Sequence, residues 1–215
     1  MQPPKSNTCV ICGVNPATTD EHVPPRGFFK GLSGQFRTVP ACGSCNNGSS
    51  KDDEELRLYI SLQIGKQTEG AKVLWEKGAH KSVLRSSQLR SAFMSTLREV
   101  PVILPNNEVA KQLEFLVPVE LYQRVFERVT RGLFFWHTGT ILSKNISVKV
   151  QLLVGTPDLD SPDLRALEAH TFAEGAFEYR FGVDPEDNRN TIWLFRVHQT
   201  HWLYATTGVL ADEIF

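Results

Sequence analysis

No cysteine is left over in this sequence: all four lie in one quartet, Cys9-x2-Cys12 and Cys42-x2-Cys45, so no free thiol remains to act as a nucleophile. Long apolar runs are missing as well. Stretches such as Leu133-Phe134-Phe135-Trp136 fall far short of the roughly 20 residues that a membrane-crossing helix needs. An excess of charge of one sign is also absent, and a net charge of -1 argues against coating nucleic acid by bulk attraction. There is no internal repeat and no low-complexity tract. With 41% hydrophobic and 22% charged residues in 215, the fibrous, disordered and membrane-spanning classes are excluded, and one large or two small globular domains are expected.

What is present is the quartet. Two cysteines two residues apart form a knuckle whose thiolates point the same way, and two knuckles complete the tetrahedron that structural Zn²⁺ prefers. Between Cys12 and Cys42 lie 29 residues, more than a zinc ribbon usually holds, so a hairpin or loop is expected there. Gly13 and Gly43 stand where a tight thiolate turn often needs positive φ. Two disulfides are the alternative use of the same cysteines. No apolar signal segment precedes Cys9, and Met1-Gln2-Pro3-Pro4-Lys5 reads as an ordinary cytoplasmic start, which favours zinc. Up to about residue 50 turn formers dominate, and little besides Phe28, Phe29, Phe36 and Val39 offers core. The ion is therefore expected to be a folding requirement.

The expected fold class is α+β: a zinc-stabilised N-terminal module, 1–65, followed by a larger helical and antiparallel-sheet domain, 66–215. Ser50 with Asp53 reads as a capping box, and Asp52 to Glu55 place negative charge at a helix N-terminus. Leu56, Tyr59, Ile60 and Ile64 supply the stripe of that helix, with Gly65 at its end. Further helices are expected over Glu69 to Glu76 and Lys81 to Arg98. A stronger one spans Val119 to about Trp136, with Leu121, Tyr122, Val125, Phe126, Val129 and Leu133 on one face. Val148 to Val154, Phe177 to Phe181 and the aromatic run from Ile192 to Ala205 alternate as strands do. Charge is unevenly spread: six basic residues against Glu76 between Lys72 and Arg98, and nine acids against Arg165 and Arg180 between Asp158 and Asp187. A basic middle could track phosphates, as could Arg26, Lys30 and Arg37 in the segment between the knuckles.

Hydrolysis of a phosphodiester needs a base to activate water, a cation to neutralise charge on the phosphate, and groups that hold both in line. Asp20-Glu21-His22 lies between the knuckles and Asn46-Asn47 directly follows the last cysteine. His22 is the candidate general base, and Glu21 and Asn46 are candidate ligands of a hard divalent ion, Mg²⁺ or Mn²⁺. Asp52 is a further candidate ligand, since Asp53 is assigned to the cap. Of the other histidines, His198 and His201 read as sheet residues, and His80, His137 and His170 show no partner in the sequence.

Cys-x2-Cys, then Asp20-Glu21-His22-Val23-Pro24-Pro25, then Val39-Pro40-x-Cys42-x2-Cys45-Asn46 leading into a helix, resembles the HNH endonucleases of the ββα-metal superfamily, in the branch with an added four-cysteine zinc site. The resemblance covers about residues 7 to 60. It implies that Glu21 and His22 end a first strand, that a loop leads to a second, and that Asn46 occupies the last metal position. It implies a nucleic-acid substrate, DNA rather than RNA, gripped by its backbone with little base reading. One such site cuts one strand, so a double-strand cut calls for a homodimer or a second binding event. The chain departs from the family where a middle asparagine orients the histidine; here Phe36-Arg37-Thr38 offers none, leaving Thr38 or a backbone carbonyl. The alternative function is a non-catalytic zinc adaptor that binds nucleic acid or a protein.

Overall fold

The computed structural model describes residues 5–62 and 67–208. Ile64, Gly65, the 65/66 boundary and the start from Met1 to Pro4 lie outside these residues. Helices and antiparallel sheets are mixed, as the α+β reading requires. No helix among the described residues is long and apolar enough to cross a membrane.

The N-terminal segment turns at its first knuckle, where Gly13 takes φ +67° and donates its N–H to the Cys9 carbonyl at 2.8 Å. A hairpin follows, β1 (Thr19–Val23) antiparallel to β2 (Arg37–Ala41), with His22 opposite Thr38 and Val23 opposite Arg37. The intervening loop buries Phe28 and Phe29. The second knuckle runs into α1 (Gly43–Asn47), so Gly43 is a helical residue and the positive φ expected of it is not needed. Then comes α2 (Ser50–Leu62). Its expected capping box does not form: Ser50 lies inside the helix and donates its hydroxyl to the Asn47 carbonyl, while the Asp53 carboxylate meets Arg128.

Residues 69–96 are helical with a single break. α3 (Glu69–Leu74) passes through a π-helical turn at Trp75–Ala79 into α4 (His80–Arg85). Ser86, in extended geometry, interrupts the chain and caps α5 (Ser87–Thr96) by accepting the Leu89 N–H. The helix expected as far as Arg98 therefore stops at Thr96. Arg98 belongs instead to a hairpin that the sequence did not suggest, β3 (Leu97–Ile103) with β4 (Val109–Phe115).

The centre of the molecule is α6 (Val119–Thr138), where Leu121, Val125, Phe126, Val129 and Leu133 are at most 2% exposed. Each such side chain contributes about 1.5–3 kcal/mol by leaving water. After β5 (Val148–Leu152) and the short α7 (Pro162–Arg165) come β6 (Glu168–Phe172), β7 (Phe177–Val183), β8 (Thr191–Val197) and β9 (His201–Thr207). They form one antiparallel sheet in the order β5-β9-β8-β7-β6. The run from Ile192 to Ala205 is thus two strands, joined at His198 and Gln199, which adopt φ +46° and +67°. Phe126 meets Phe195 of the sheet at a ring-centroid distance of 5.3 Å. Val10, Val23, Phe28, Val39 and Leu56 belong to that same core.

One close approach fixes how α6 lies on the hairpin. A Cβ at Gly132 would collide with the Val23 side chain, reaching Val23 Cβ at 3.2 Å and Cγ2 at 3.3 Å as well as Cγ1. The Cγ1 contact forces the Val23 side chain to shift, and the close Cβ adds a few tenths of an ångström of further displacement. Gly132→Ala should therefore cost about 1–3 kcal/mol in overpacking, against about 1 kcal/mol gained in helix propensity. A net loss is expected in urea unfolding; a variant as stable as the parent would show that the contact does not constrain the fold.

Candidate metal centre and catalytic cavity

Sequence proximity makes the two knuckles, and the β1–β2 hairpin brings them together. The sulfurs of Cys9, Cys12, Cys42 and Cys45 lie within 4.8 Å of one another, and none is in a disulfide. Tetrahedral bonds of about 2.3 Å to an ion would set the sulfurs about 3.8 Å apart, within reach of this cluster. Its surroundings are donors. The Ser44 hydroxyl lies 3.0 Å from Cys42 Sγ, and the Asn15 amide approaches the same sulfur at 3.7 Å. The Ser44 contact pulls Cys42 down to about 5, whereas burial, helped by the other thiols, pushes Cys45 up. Four thiols this close compete for ionisation, and a divalent ion at their centre lets all of them be thiolates. The cluster can hold a metal ion such as zinc.

Beside it opens a cavity of about 500 Å³ whose walls include Glu21, His22, Asn46 and Asp53. The hairpin supplies the first two, α1 the third and α2 the fourth. Asn46 Nδ2 donates to Thr19 Oγ1 at 3.1 Å and to the Asp20 carbonyl at 3.0 Å. The amide nitrogen is thereby committed to β1, which leaves the side-chain carbonyl oxygen available as a donor to a cation.

Glu21 is only 4% exposed, and its Oε1 lies 3.7 Å from Arg128 Nε. The same guanidinium also holds Asp53. Burial raises Glu21 to about 7, with Asp53 adding to the rise and Arg128 opposing it. Burial raises Asp53 too, again against the pull of Arg128. Two carboxylates share one cation here, so a further positive charge would be stabilised between them. Oxygen donors of this kind suit a hard divalent ion.

Asp52 does not join them. Arg124 holds it in a two-pronged pair, Nε to Oδ2 at 2.9 Å and Nη2 to Oδ1 at 3.1 Å. The exchange of roles between Asp52 and Asp53 has a visible cause. Asp53 stands three and seven residues before Leu56 and Ile60, both fully buried, and so shares the inward face of α2.

The His22 ring lies in an edge contact with Phe36, centroids 6.5 Å apart. Burial, and then the neighbouring Arg26 cation, hold it below the ordinary imidazole range, with Asp20 partly offsetting them. Thr38 lies across the hairpin from His22, yet no hydrogen bond between their side chains forms among the described residues.

Exposed Arg26 and Lys51 line the same cavity, adding basic side chains to its carboxylates. Arg37 is elsewhere, in a second cavity described below. The basic stretch from Lys72 to Arg98 is partly neutralised, Lys72 by Glu69 and Arg98 by Glu114. Arg128 and Asp53 were not evident as site residues in the sequence; Arg128 lies on α6, 75 residues from its partner. Compared with protein-family models, with curated proteins and with solved structures, the chain matches none.

Proposed function

We propose that this chain is a metal-dependent endonuclease of the HNH type, hydrolysing phosphodiester bonds of nucleic acid, DNA in preference to RNA. The observation that carries the reading is that the adjacent Glu21 and His22 of β1 and Asn46 of α1 line a single open cavity next to the four-cysteine cluster. Zn²⁺ in that cluster would be structural, fixing the hairpin that presents Glu21 and His22.

A Mg²⁺ or Mn²⁺ ion held by Glu21 and Asn46, with Asp53 as the acidic neighbour, would supply neutralisation of the phosphate and leaving-oxygen charge. Neutral His22 takes the proton from the attacking water. Arg26 and Lys51 face the incoming strand and offset its charge. Arg128 keeps both carboxylates in place, so the acidic interior survives its burial.

Incubation of plasmid with purified protein and Mg²⁺ or Mn²⁺ tests the proposal: nicking that stops on chelation of the added ion is expected. Glu21→Ala should shift the metal titration of cleavage to higher concentration without releasing zinc. A specific observation favours a second reading, a non-catalytic zinc adaptor: Arg128 already pairs both Glu21 and Asp53. Absence of cutting with every divalent ion, in protein that carries its zinc, would decide for the adaptor.

A further inference from the structure

A second cavity, about 660 Å³, opens between the start of β2, the end of α6 and β6. At its wall Arg37 lies between two rings, its guanidinium carbon 4.7 Å from the Phe172 centroid and 5.0 Å from that of Trp136. Nη1 donates to the Tyr179 hydroxyl and reaches His137 Nε2 at 3.0 Å. No carboxylate lies within ion-pair distance of Arg37 among the described residues; burial pulls it below its ordinary value, with Tyr179 and, at longer range, Glu168 opposing the fall. A cation that is half out of water ordinarily has a counter-ion. Here the aromatic rings hold the planar fork still and leave Nε and Nη2 unspent, which is how a guanidinium is prepared for an oxyanion.

Two imidazoles stand beside it. The rings of His137 and His170 lie 4.8 Å apart, and His137 Nε2 is 2.7 Å from the Tyr179 hydroxyl. Glu168, mostly exposed, has Oε1 2.8 Å from His170 Nε2. His137, Glu168 and His170 place ligand atoms within 4.8 Å of one another, and two imidazoles with a carboxylate would also suit a cation. Charge decides between the two. The fixed cation of Arg37 touches His137, while the single carboxylate is screened by solvent, so the cluster favours an anion.

The neighbouring cavity suggests which anion. Phe36 lines this cavity and also makes the edge contact with His22, and Arg26 lies over the same ring at 5.9 Å. Phe36 thus links the wall of this cavity to two residues that line the other, His22 and Arg26. We propose that the second cavity binds a phosphate group, with Arg37 giving the fixed charge and its Nε and Nη2 N–H donors and His137 its Nδ1–H, and that this phosphate flanks the scissile one in a nucleic-acid strand. The second half of that statement rests on the nuclease reading; the first half does not.

Calorimetric titration without added divalent ion separates the possibilities, using inorganic phosphate in one arm and an oligonucleotide without terminal phosphates in the other, on the zinc-loaded full chain. Binding of both is expected, with Arg37→Met weakening each by about tenfold or more, as for a charged hydrogen-bond partner. Glu168→Gln, at an exposed position that leaves the core untouched, should bind either probe equally or more tightly. Should Arg37→Met fail to fold, Glu168→Gln still carries the test. No binding of either probe by the wild type overturns the site. So does a second equivalent of zinc or manganese in the wild type that Glu168→Gln removes, because that outcome makes the cluster a cation site. Binding of inorganic phosphate alone overturns the flanking-strand assignment. If plasmid cutting fails while phosphate binding depends on Arg37, the fault lies with the nuclease reading and not with this site.

Discussion

Cys42→Ser is expected to lower zinc content below one per chain and to abolish the native melting transition of the N-terminal segment. Cys42 is buried with Cys9 and Ala41 in a cluster too small to hold itself together. Ion binding in small zinc modules is worth about 10–16 kcal/mol, more than the whole stability of about 5–15 kcal/mol of an ordinary domain. The loss should spread further than the knuckles. Val10 follows Cys9, and Val39 lies three residues before Cys42, and both sit in the central core with α6. Chelation of zinc from the wild type should reproduce the effect. Elemental analysis with thermal melting reads both quantities, and full zinc with an unchanged transition in the variant would refute the quartet as a metal site.

Much of this architecture was legible because it is periodic or local. The apolar stripe of α6 marks a helix wherever it occurs, and Cys-x2-Cys declares its geometry within four residues. Glu21, His22 and Asn46 were legible for a related reason: each is tied in sequence to a knuckle or to the hairpin between knuckles. The β3–β4 hairpin was not, since the approach to it from Lys81 is good helix-forming sequence and only tertiary pairing with residues 109–115 makes Leu97 to Ile103 a strand. The turn at His198 and Gln199 was hidden as well, because neither residue belongs to the glycine, asparagine and aspartate set that usually marks positive φ. Its conformation is instead held from outside, with His198 Nε2 at 2.8 Å from the Phe28 carbonyl. The pairing of Asp53 with Arg128, and the gathering of Arg37, His137 and His170, depend on where α6 crosses the hairpin and on which strands neighbour it. No local pattern carries that information. The inward phase of Asp53 relative to Leu56 was the one available hint, and the capping-box pattern masked it.

His22→Ala should reduce cleavage by about 10²–10⁴-fold, the usual contribution of a positioned general base, while leaving the fold intact. Both halves follow from the ring's surroundings. Its neighbours Glu21 and Asn46 are anchored independently, Glu21 by Arg128 and Asn46 by Thr19 and the Asp20 carbonyl. The imidazole makes no side-chain hydrogen bond among the described residues, and its contact with Phe36 is an edge approach that alanine surrenders cheaply. Zinc content and melting should therefore match the wild type, and the concentration of Mg²⁺ or Mn²⁺ at half-maximal rate should stay put because the proposed oxygen ligands remain. Glu21→Ala is expected to show the complementary pattern, a displaced metal requirement. A kinetic comparison of the two variants on the same plasmid thus separates proton transfer from cation binding. Cleavage by His22→Ala at the wild-type rate would remove the histidine from the chemistry and leave the cavity to be explained by its carboxylates alone.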